Sequence, residues 1–295
     1  MRVGVTGASG MLGSKILSKL SGRHKLYATS RTQGIVSKNI SWECFDLMDL
    51  GLLRNWLHNT KPDIVIHCAA FVNIDFCEEN FDLAYRLHVD TTSVISDYLN
   101  SSGGRLIYIS TDSVYDGEKI GSYVESDPVR PLNNYSKTKL LGEKPVGLIE
   151  NGLILRTNII GENQGERNSF AEWIFEALAN NEQLNLFEDV LFSPIHVSDL
   201  AKVIDKIIRE PIFGLFHCAS VNHTSKFDFG IEMAKEFNFS CQNINKVSID
   251  ASGLKTARPK NMSLDVSKLS NALNYQLPGF RDAIKSMNLN RKSIK

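Results

Sequence analysis

The chain has 295 residues, of which 42% are hydrophobic and 22% charged, enough for one large α/β unit or two modest domains. Lysine plus arginine equals aspartate plus glutamate at 33 each, which excludes a global field that attracts nucleic acid or an anionic membrane. The five cysteines are odd in number and lack Cys-x-x-Cys spacing, which favours free thiols in a reducing cytosol and no metal site.

The start of the chain lacks the pattern of a targeting segment. Met1 leads directly into a strand-like run, and no stretch approaches the ~20 apolar residues that a spanning helix requires. We therefore expect a soluble, cytoplasmic protein without a membrane or nucleic-acid partner.

Strand and helix patterns alternate along the first half of the chain. Short β-type runs are predicted at 3–6, 26–30, 42–45, 64–68, 106–110 and 153–156. Helical patterns are predicted at 11–20, 50–57 and 82–99. One apolar stripe of the last helix contains Leu83, Leu87, Val94 and Tyr98. This alternation predicts an α/β fold, a doubly wound parallel sheet of the Rossmann type that binds its ligands at the carboxyl ends of the strands.

The rhythm changes from about residue 161. Further elements are predicted at 169–179 (helix), 197–208 (helix), 213–219 (strand) and 227–236 (helix). We expect a dinucleotide-binding domain at 1–160, to which 196–220 returns. Residues 161–295 are expected to form mainly a smaller, C-terminal substrate-binding lobe.

A glycine-rich turn follows the first predicted strand and opens the first helix. A dinucleotide site needs a tight turn, close approach of backbone to a pyrophosphate and free amides at a helix N-terminus. Glycines at three-residue spacing in this position meet that demand. The predicted cofactor contacts here are Gly7, Ser9, Gly10, Met11, Leu12 and Gly13.

The end of the second strand decides between the two nicotinamide cofactors. An NAD site usually has a carboxylate there for the ribose 2′-hydroxyl, whereas this strand ends in Ser30-Arg31. A guanidinium suits a 2′-phosphate, so we predict NADP (NADPH), with NAD as the alternative if Arg31 is only a solvated surface residue. After the third strand, Asp46-Leu47 either meets the adenine, through the Asp46 carboxylate, or provides a helix cap.

The predicted catalytic group combines the end of the fifth strand with the helix that follows. Thr111 can hydrogen-bond a substrate carbonyl oxygen, and Tyr135 can donate the proton as hydride arrives. Lys139, one helical turn on, is expected to stabilise the phenolate and lower the pKa of Tyr135 from about 10. The alternative is a surface tyrosine on an amphipathic helix. A second Tyr-x-x-x-Lys, Tyr115 to Lys119, spans an Asp-Gly turn and is discarded, since only a helix brings such residues to one face.

These motifs resemble the extended short-chain dehydrogenases/reductases, and within them the dTDP-4-dehydrorhamnose reductase branch. The stretches that carry the resemblance are the glycine turn, Ala69-Ala70 through Ile74-Asp75, Ser110-Thr111-Asp112, residues 135–143, Arg156-Thr157, Arg258-Pro259 and Ser263-Leu264-Asp265. The match covers essentially the whole chain.

The resemblance implies NADPH-dependent reduction of the C4 keto group of a nucleotide-linked 4-keto-6-deoxy sugar. Thr111, Tyr135 and Lys139 would be the catalytic triad, and Lys139 would also bind the nicotinamide ribose. Further cofactor contacts would be Cys68, Ala69 and Ala70. Substrate contacts would be Val72, Thr111, Asp112, Ser113 and Arg258. The Arg258 guanidinium suits a substrate diphosphate, although a surface arginine before a proline turn is the alternative.

Three departures from the family pattern bear on the reaction and the substrate. Family dehydratases carry Asp-Glu after the threonine, whereas this chain has Asp112-Ser113, which disfavours dehydration. His88 stands where the family often has asparagine, and we interpret it as a hydrogen-bonded core histidine. Ile159 stands near a position that is often aromatic in rhamnose-forming reductases, which leaves the nucleotide base and the sugar open.

Two other functions remain open from the sequence. The same catalytic residues occur in epimerases and epimerase–reductases that act on sugar nucleotides. The branch also resembles regulatory subunits of methionine adenosyltransferase, which would bind a dinucleotide without turnover; the intact triad argues against this. The resemblance is compatible with a homodimer.

Overall fold

In the computed structural model, the described residues are 1–34, 37, 39–163 and 168–292, with side chains included as far as residue 287. The strands in chain order are β1 (Arg2–Thr6), β2 (Lys25–Ser30), β3 (Ile40–Cys44), β4 (Ile64–His67), β5 (Arg105–Ile109), β6 (Gly152–Arg156), β7 (Ile159–Ile160), β8 (Leu184–Phe187), β9 (Leu191–Phe192), β10 (Ile195–His196), β11 (Gly214–His217), β12 (Thr224–Ser225), β13 (Ile244–Val247) and β14 (Asn261–Met262).

Helices connect most of these strands. They are α1 (Met11–Leu20), α2 (Leu50–Thr60), α3 (Ile74–Glu79), α4 (Phe81–Tyr85), α5 (Thr91–Ser102), α6 (Asn134–Gly147), α7 (Phe170–Ala179), α8 (Val197–Arg209), α9 (Lys226–Phe237), α10 (Ser267–Leu273) and α11 (Phe280–Lys292). A π-turn occupies Arg86–Asp90, and 3-10 turns occupy Asp112–Val114 and Ile249–Ala251.

The central sheet confirms the predicted doubly wound fold. In the described part of the chain, seven parallel strands pair in the order β11-β6-β5-β4-β1-β2-β3. Helices α1 and α8 pack together on one face, and α2, α5 and α6 cover the other. Since strand order reverses beside β1, the carboxyl ends of β1 and β4 border the crevice where such folds bind ligands.

The small sheets and helices α7, α9 and α11 form a second lobe with its own core, while α3, α4 and α10 pack against the central-sheet domain. Its small sheets pair β8 with β13, β9 with both β12 and β14, and β7 with β10. Buried aromatic and aliphatic side chains of α7, α9 and α11 pack against these strands, with Phe192 and Phe229 at the centre. The segment from His196 to His217 leaves this lobe: α8 packs on α1, and β11 pairs with β6.

The helical stretch predicted at 82–99 contains a π-turn that the sequence pattern did not reveal. Leu87 and Val94 are buried as expected, but Leu83 is 43% exposed, so its place on the apolar stripe was wrong. The physical reason is that a π-turn inserts extra residues per turn and rotates α4 relative to α5.

Helix α6 begins at an asparagine cap and continues through Pro145. The Asn133 side chain accepts a hydrogen bond from the Ser136 amide at 2.9 Å. Gly142 allows α6 to lie directly against the π-turn and β5, because a Cβ there would overlap the His88 carbonyl oxygen and the Tyr108 phenol oxygen. No side chain larger than hydrogen fits this contact without moving the helix.

Two kinds of feature, a membrane-spanning helix and a metal-binding cluster, are not found among the described residues. Among the described residues, no helix is both long and apolar enough to cross a membrane. The same residues contain no group of three or more histidine, cysteine or acidic side chains arranged to hold a metal ion.

We expect Gly142→Ala to destabilise the protein by about 1–3 kcal/mol, because the added methyl overpacks α6 against backbone and a buried phenol. The matched control is Gly147→Ala in the same helix, where no atom lies within 4 Å of the added Cβ. That control should be neutral or slightly stabilising. Urea unfolding midpoints measure both, and equal midpoints for the two variants would contradict the packing argument.

Candidate active site

The glycine turn after β1 contacts the turn after β4. Gly7 has a φ of +63°, and a Cβ on it would lie 2.7 Å from the Ala69 amide nitrogen and 3.0 Å from the Cys68 carbonyl carbon. A Cβ on Gly13 would overlap the Gly7 carbonyl oxygen, so α1 begins directly above the turn. Glycine is required at these positions because backbone approaches backbone. The first predicted cofactor residues therefore lie together at one sheet edge.

The N-terminus of α1 has the character of an anion site. In the part of the chain that the structure describes, Gly10 provides no side-chain cap and the first turn contains no acidic residue. Its amides are therefore available to an anion and carry the positive end of the helix dipole. Leu12 points into the core, so only its backbone faces the turn, and Ser9 and Met11 are partly exposed. This cradle fits a dinucleotide pyrophosphate.

The ends of β2 and β3 lie farther along the same edge. Ser30 is partly buried and its hydroxyl donates to the Thr32 carbonyl at 2.6 Å, while Arg31 is exposed. Asp46 is also exposed and accepts from the Met48 amide at 2.9 Å, and Leu47 is buried. The cap of α2 is Asp49, so the interpretation of Asp46 as that cap was wrong.

The predicted catalytic side chains meet at the carboxyl end of β5. Thr111 caps the 3-10 turn, accepting from the Ser113 amide at 3.2 Å, and its hydroxyl lies close enough to the Tyr135 phenol to oppose the rise in the pKa of that group. Tyr135 and Lys139 lie one turn apart on α6, whose cap at Asn133 sets where the helix begins. The structure thus brings Thr111, Tyr135 and Lys139 to the same crevice as the glycine turn.

The pKa expected for Tyr135 was wrong in direction. Burial raises its pKa to about 12, the hydrogen bond to Thr111 opposes this, and the charge of Asp112 adds to it. The Lys139 Nζ donates to the Ile109 carbonyl at 2.7 Å and lies 4.1 Å from the Tyr108 ring centroid. Tyr135 therefore keeps its proton near neutral pH.

Burial also governs Lys139. It lowers the lysine pKa to about 7, with Glu143 and then Cys68 opposing the shift. The two histidines nearby remain neutral because burial and the Lys139 charge lower their pKa, to about 3 for His67 and well below 6.5 for His88. Of Lys139, His67 and His88, only Lys139 therefore has a pKa that lets its charge change near neutral pH.

His88 is a buried and fully hydrogen-bonded histidine, as predicted. Its Nε2 accepts from the Phe71 amide at 2.9 Å, which leaves the proton on Nδ1 to donate to Thr138 Oγ1 at 2.9 Å. Its ring meets Tyr135 edge-on at 6.1 Å between centroids. The His88 ring therefore packs against the Tyr135 ring and helps to fix its position.

Asp112 directly follows Thr111 at the start of the 3-10 turn. It is buried and accepts hydrogen bonds from Asn158 Nδ2 at 2.5 Å, Thr111 Oγ1 at 3.2 Å and Ser113 Oγ at 3.3 Å. Burial raises its pKa to about 6. Val72, in contrast, is 74% exposed.

Arg258 is anchored next to the start of α6. Its Nη2 lies 3.7 Å from Asp75 Oδ2, and Thr256 donates to the same carboxylate at 2.7 Å. The cap residue Asn133 also donates from Nδ2 to the Ala257 carbonyl at 2.9 Å. The loop that carries Arg258 is thus tied to the start of α6.

Sequence reasoning missed two residues of this region, Asn158 and Lys226. Lys226 begins α9 in the second lobe, yet its charge interacts with those of Asp112 and Arg258. A lone lysine in a helix start carries no motif, so only the tertiary structure reveals it.

The chain resembles known proteins along nearly its whole length. The family model described as RmlD substrate binding domain matches residues 1–292. The chain is 32% identical over 298 residues to methionine adenosyltransferase 2 subunit beta of Pongo abelii, covering 96% of this chain and 86% of the relative. It is 27% identical over 291 residues to the probable low-salt glycan biosynthesis reductase Agl14 of Haloferax volcanii, covering 96% of each.

A solved structure gives the same result at the level of the fold. The crystal structure of dTDP-4-dehydrorhamnose reductase from Bacillus anthracis in complex with NADP matches with a TM-score of 0.87 and 26% identity, covering 98% of this chain and 99% of that one. The resemblance to that reductase branch is confirmed. Since the family match extends over nearly the whole chain, the protein belongs to the RmlD substrate binding domain family.

Proposed function

We propose that this protein reduces the C4 keto group of a nucleotide-linked 4-keto-6-deoxy sugar with NADPH. The observation that carries the proposal is the meeting of Thr111, Tyr135 and Lys139 at the sheet edge that also holds the glycine cradle. In this proposal, residues 1–160 together with 196–220 bind the cofactor. The remaining C-terminal lobe, mainly within 161–295, binds the sugar nucleotide.

The glycine turn would hold the cofactor pyrophosphate, and the loop at 68–70 would border the nicotinamide. Gly7 and Gly13 leave room for close backbone approach, and the first amides of α1 offer hydrogen bonds to phosphate oxygens. The Arg31 guanidinium, exposed at the end of β2, would pair with a 2′-phosphate. When bound, the reduced nicotinamide supplies the hydride.

The side chains of the protein supply the proton and stabilise the charge. Tyr135, with a pKa of about 12, is protonated at neutral pH and transfers its proton to the keto oxygen as negative charge develops there. Thr111 donates a hydrogen bond to the same oxygen. The Lys139 ammonium stabilises the phenolate that Tyr135 becomes, until solvent returns the proton. Hydride and proton together convert the ketone into an alcohol.

The residue after Asp112 favours reduction over dehydration. Elimination of water needs a second acid–base group beside the aspartate, and this chain has Ser113 there. Its hydroxyl is buried, 3.3 Å from Asp112 Oδ1 and 3.6 Å from Met262 Sδ. A buried serine hydroxyl does not exchange protons at neutral pH as a carboxylate does.

A second candidate is a regulatory subunit that binds the dinucleotide without turnover. The 32% identity to a methionine adenosyltransferase subunit favours it. The complete catalytic triad favours an enzyme instead, because a binding protein has no need of a proton donor. Turnover separates the two candidates.

We expect the protein to oxidise NADPH in the presence of at least one member of a panel of dTDP- and UDP-linked 4-keto-6-deoxy sugars. Tyr135→Phe should reduce kcat by about 100-fold or more, since the proton donor is lost while the ring remains. Tyr85→Phe, a partly exposed tyrosine on α4, is the control and should retain the wild-type rate. No turnover with any panel member, despite NADPH binding, would contradict the reductase proposal.

Arg31→Ala should weaken NADPH binding by about tenfold or more and change NADH binding little, because only NADPH carries the 2′-phosphate. Fluorescence titration with both cofactors measures the difference. The exposed Arg54→Ala on α2 is the charge-matched control. Equal losses for the two cofactors in Arg31→Ala would refute the assignment of Arg31.

The pH dependence of kcat/KM should show a limb that falls as pH rises through about 7, where Lys139 loses its positive charge. Tyr135 keeps its proton over this range, and burial holds the pKa of Cys68 near 12. Lys139→Arg keeps a permanent charge and should move the limb to higher pH, whereas Lys226→Arg, at the other lysine whose pKa burial lowers to about 7, should leave the limb in place. Asp112→Asn removes the carboxyl whose pKa is about 6, so a comparison of its pH profile with that of the wild type shows what Asp112 contributes to the limb. An unchanged limb in Lys139→Arg would disprove its origin in Lys139.

A further inference from the structure

Lys226 lies in an aromatic cage on the substrate side of the crevice. Its Nζ is 3.4 Å from the Phe192 ring centroid and 4.1 Å from that of Phe170. Its backbone amide donates to the Val190 carbonyl at 3.0 Å, which fixes the start of α9. Cation–π contacts hold the ammonium in place, yet they leave its three N–H donors without an oxygen acceptor.

Within residues 1–34, 37, 39–163 and 168–287, no hydrogen-bond acceptor or ion-pair partner contacts Lys226 Nζ. The carboxylate that interacts with its charge, Asp112, accepts its hydrogen bonds from Asn158, Thr111 and Ser113 instead. Burial therefore lowers the pKa of Lys226 to about 7, although Asp112 opposes the shift. The Lys226 ammonium therefore feels the charge of Asp112, but none of the described residues accepts a hydrogen bond from it or forms an ion pair with it.

Arg258 brings a second positive charge to the same region. Its charge lowers the pKa of Lys226 further, which shows that the two cations repel each other. Its Nε is buried with no hydrogen-bond partner among the described residues, and its contact with Asp75 is long at 3.7 Å. Two cations with unused donors, beside a carboxylate that already has its own partners, form a site for an anion.

The position of this pair separates it from the cofactor cradle. Asp112 directly follows the catalytic Thr111, and Lys226 belongs to the second lobe, whereas the glycine turn follows β1. An anion between Lys226 and Arg258 would therefore belong to the molecule that presents its keto group to Thr111 and Tyr135. In a sugar nucleotide, the diphosphate is one sugar ring away from that keto group.

We propose that Lys226 is a substrate-binding residue that, together with Arg258, binds the diphosphate of the sugar nucleotide. The identity of the ligand rests on the proposed reductase function. The presence of an anion site does not rest on that function, because the site follows from the aromatic cage around Lys226 and from the two positive charges. Lys226 also contributes to specificity, since it favours a substrate with a diphosphate over a free sugar.

Isothermal titration with dTDP, pyrophosphate and thymidine tests this assignment. Lys226→Met, which fills the cage without a charge, should weaken dTDP and pyrophosphate binding by about 10- to 100-fold. NADPH affinity should stay unchanged, which reports an intact fold and cofactor site. Lys226→Arg should retain most of the dTDP affinity. Lys235→Met, on the exposed side of the same helix, is the matched control and should bind like the wild type.

Three results would overturn the proposal: wild-type protein that binds neither dTDP nor pyrophosphate, a Lys226→Met variant with wild-type affinity for both, or a parallel loss of NADPH affinity. The two proposals fail separately. If no sugar nucleotide is reduced but pyrophosphate binding still requires Lys226, the reductase proposal fails and the anion site stands. If reduction occurs and Lys226→Met binds dTDP normally, the reductase stands and Lys226 has no such role.

Discussion

A buried ion pair between Glu143 and Arg156 holds helix α6, which carries Tyr135 and Lys139, against the sheet. Arg156 contacts both carboxylate oxygens, at 3.0 and 2.7 Å, and Ser110 donates to the same carboxylate at 2.5 Å. Arg156 also donates to the Tyr115 hydroxyl at 2.8 Å, which in turn contacts His217 at 2.7 Å. The network thus links α6 to the ends of β5, β6 and β11. Removing one partner of such a pair typically costs about 3–5 kcal/mol.

The parts of this protein that could be predicted from the sequence are those with a local signal. Apolar runs and helical periodicity indicated the strands of the parallel sheet, and the glycine spacing indicated the cradle after β1. Tyr135 and Lys139 were selected because a helix brings i and i+4 together, and α6 has the geometry to do so. His88 was correctly interpreted as buried because its neighbours Ala84 and Ile95 are apolar.

The remainder depends on contacts between distant segments. The π-turn at Arg86–Asp90, which displaces Leu83 from the apolar stripe, packs against α6 and has no signature in its own residues. The raised pKa of Tyr135 follows from burial, which the spacing to Lys139 does not report. The charges of Lys226 and Asp112 interact only through the tertiary structure, because the two residues lie far apart in the sequence. These interactions lie in the region proposed to bind the substrate, where sequence reasoning was weakest.

The central claim is net reduction of a keto sugar by hydride from the cofactor and a proton from Tyr135. The most direct measurement is the fate of deuterium when the protein turns over with NADPH that carries deuterium at the hydride position. The account predicts one deuterium at the former keto carbon of the product and one NADPH consumed per product. Product that forms without NADPH consumption and takes its hydrogen from solvent would contradict it in favour of an epimerase.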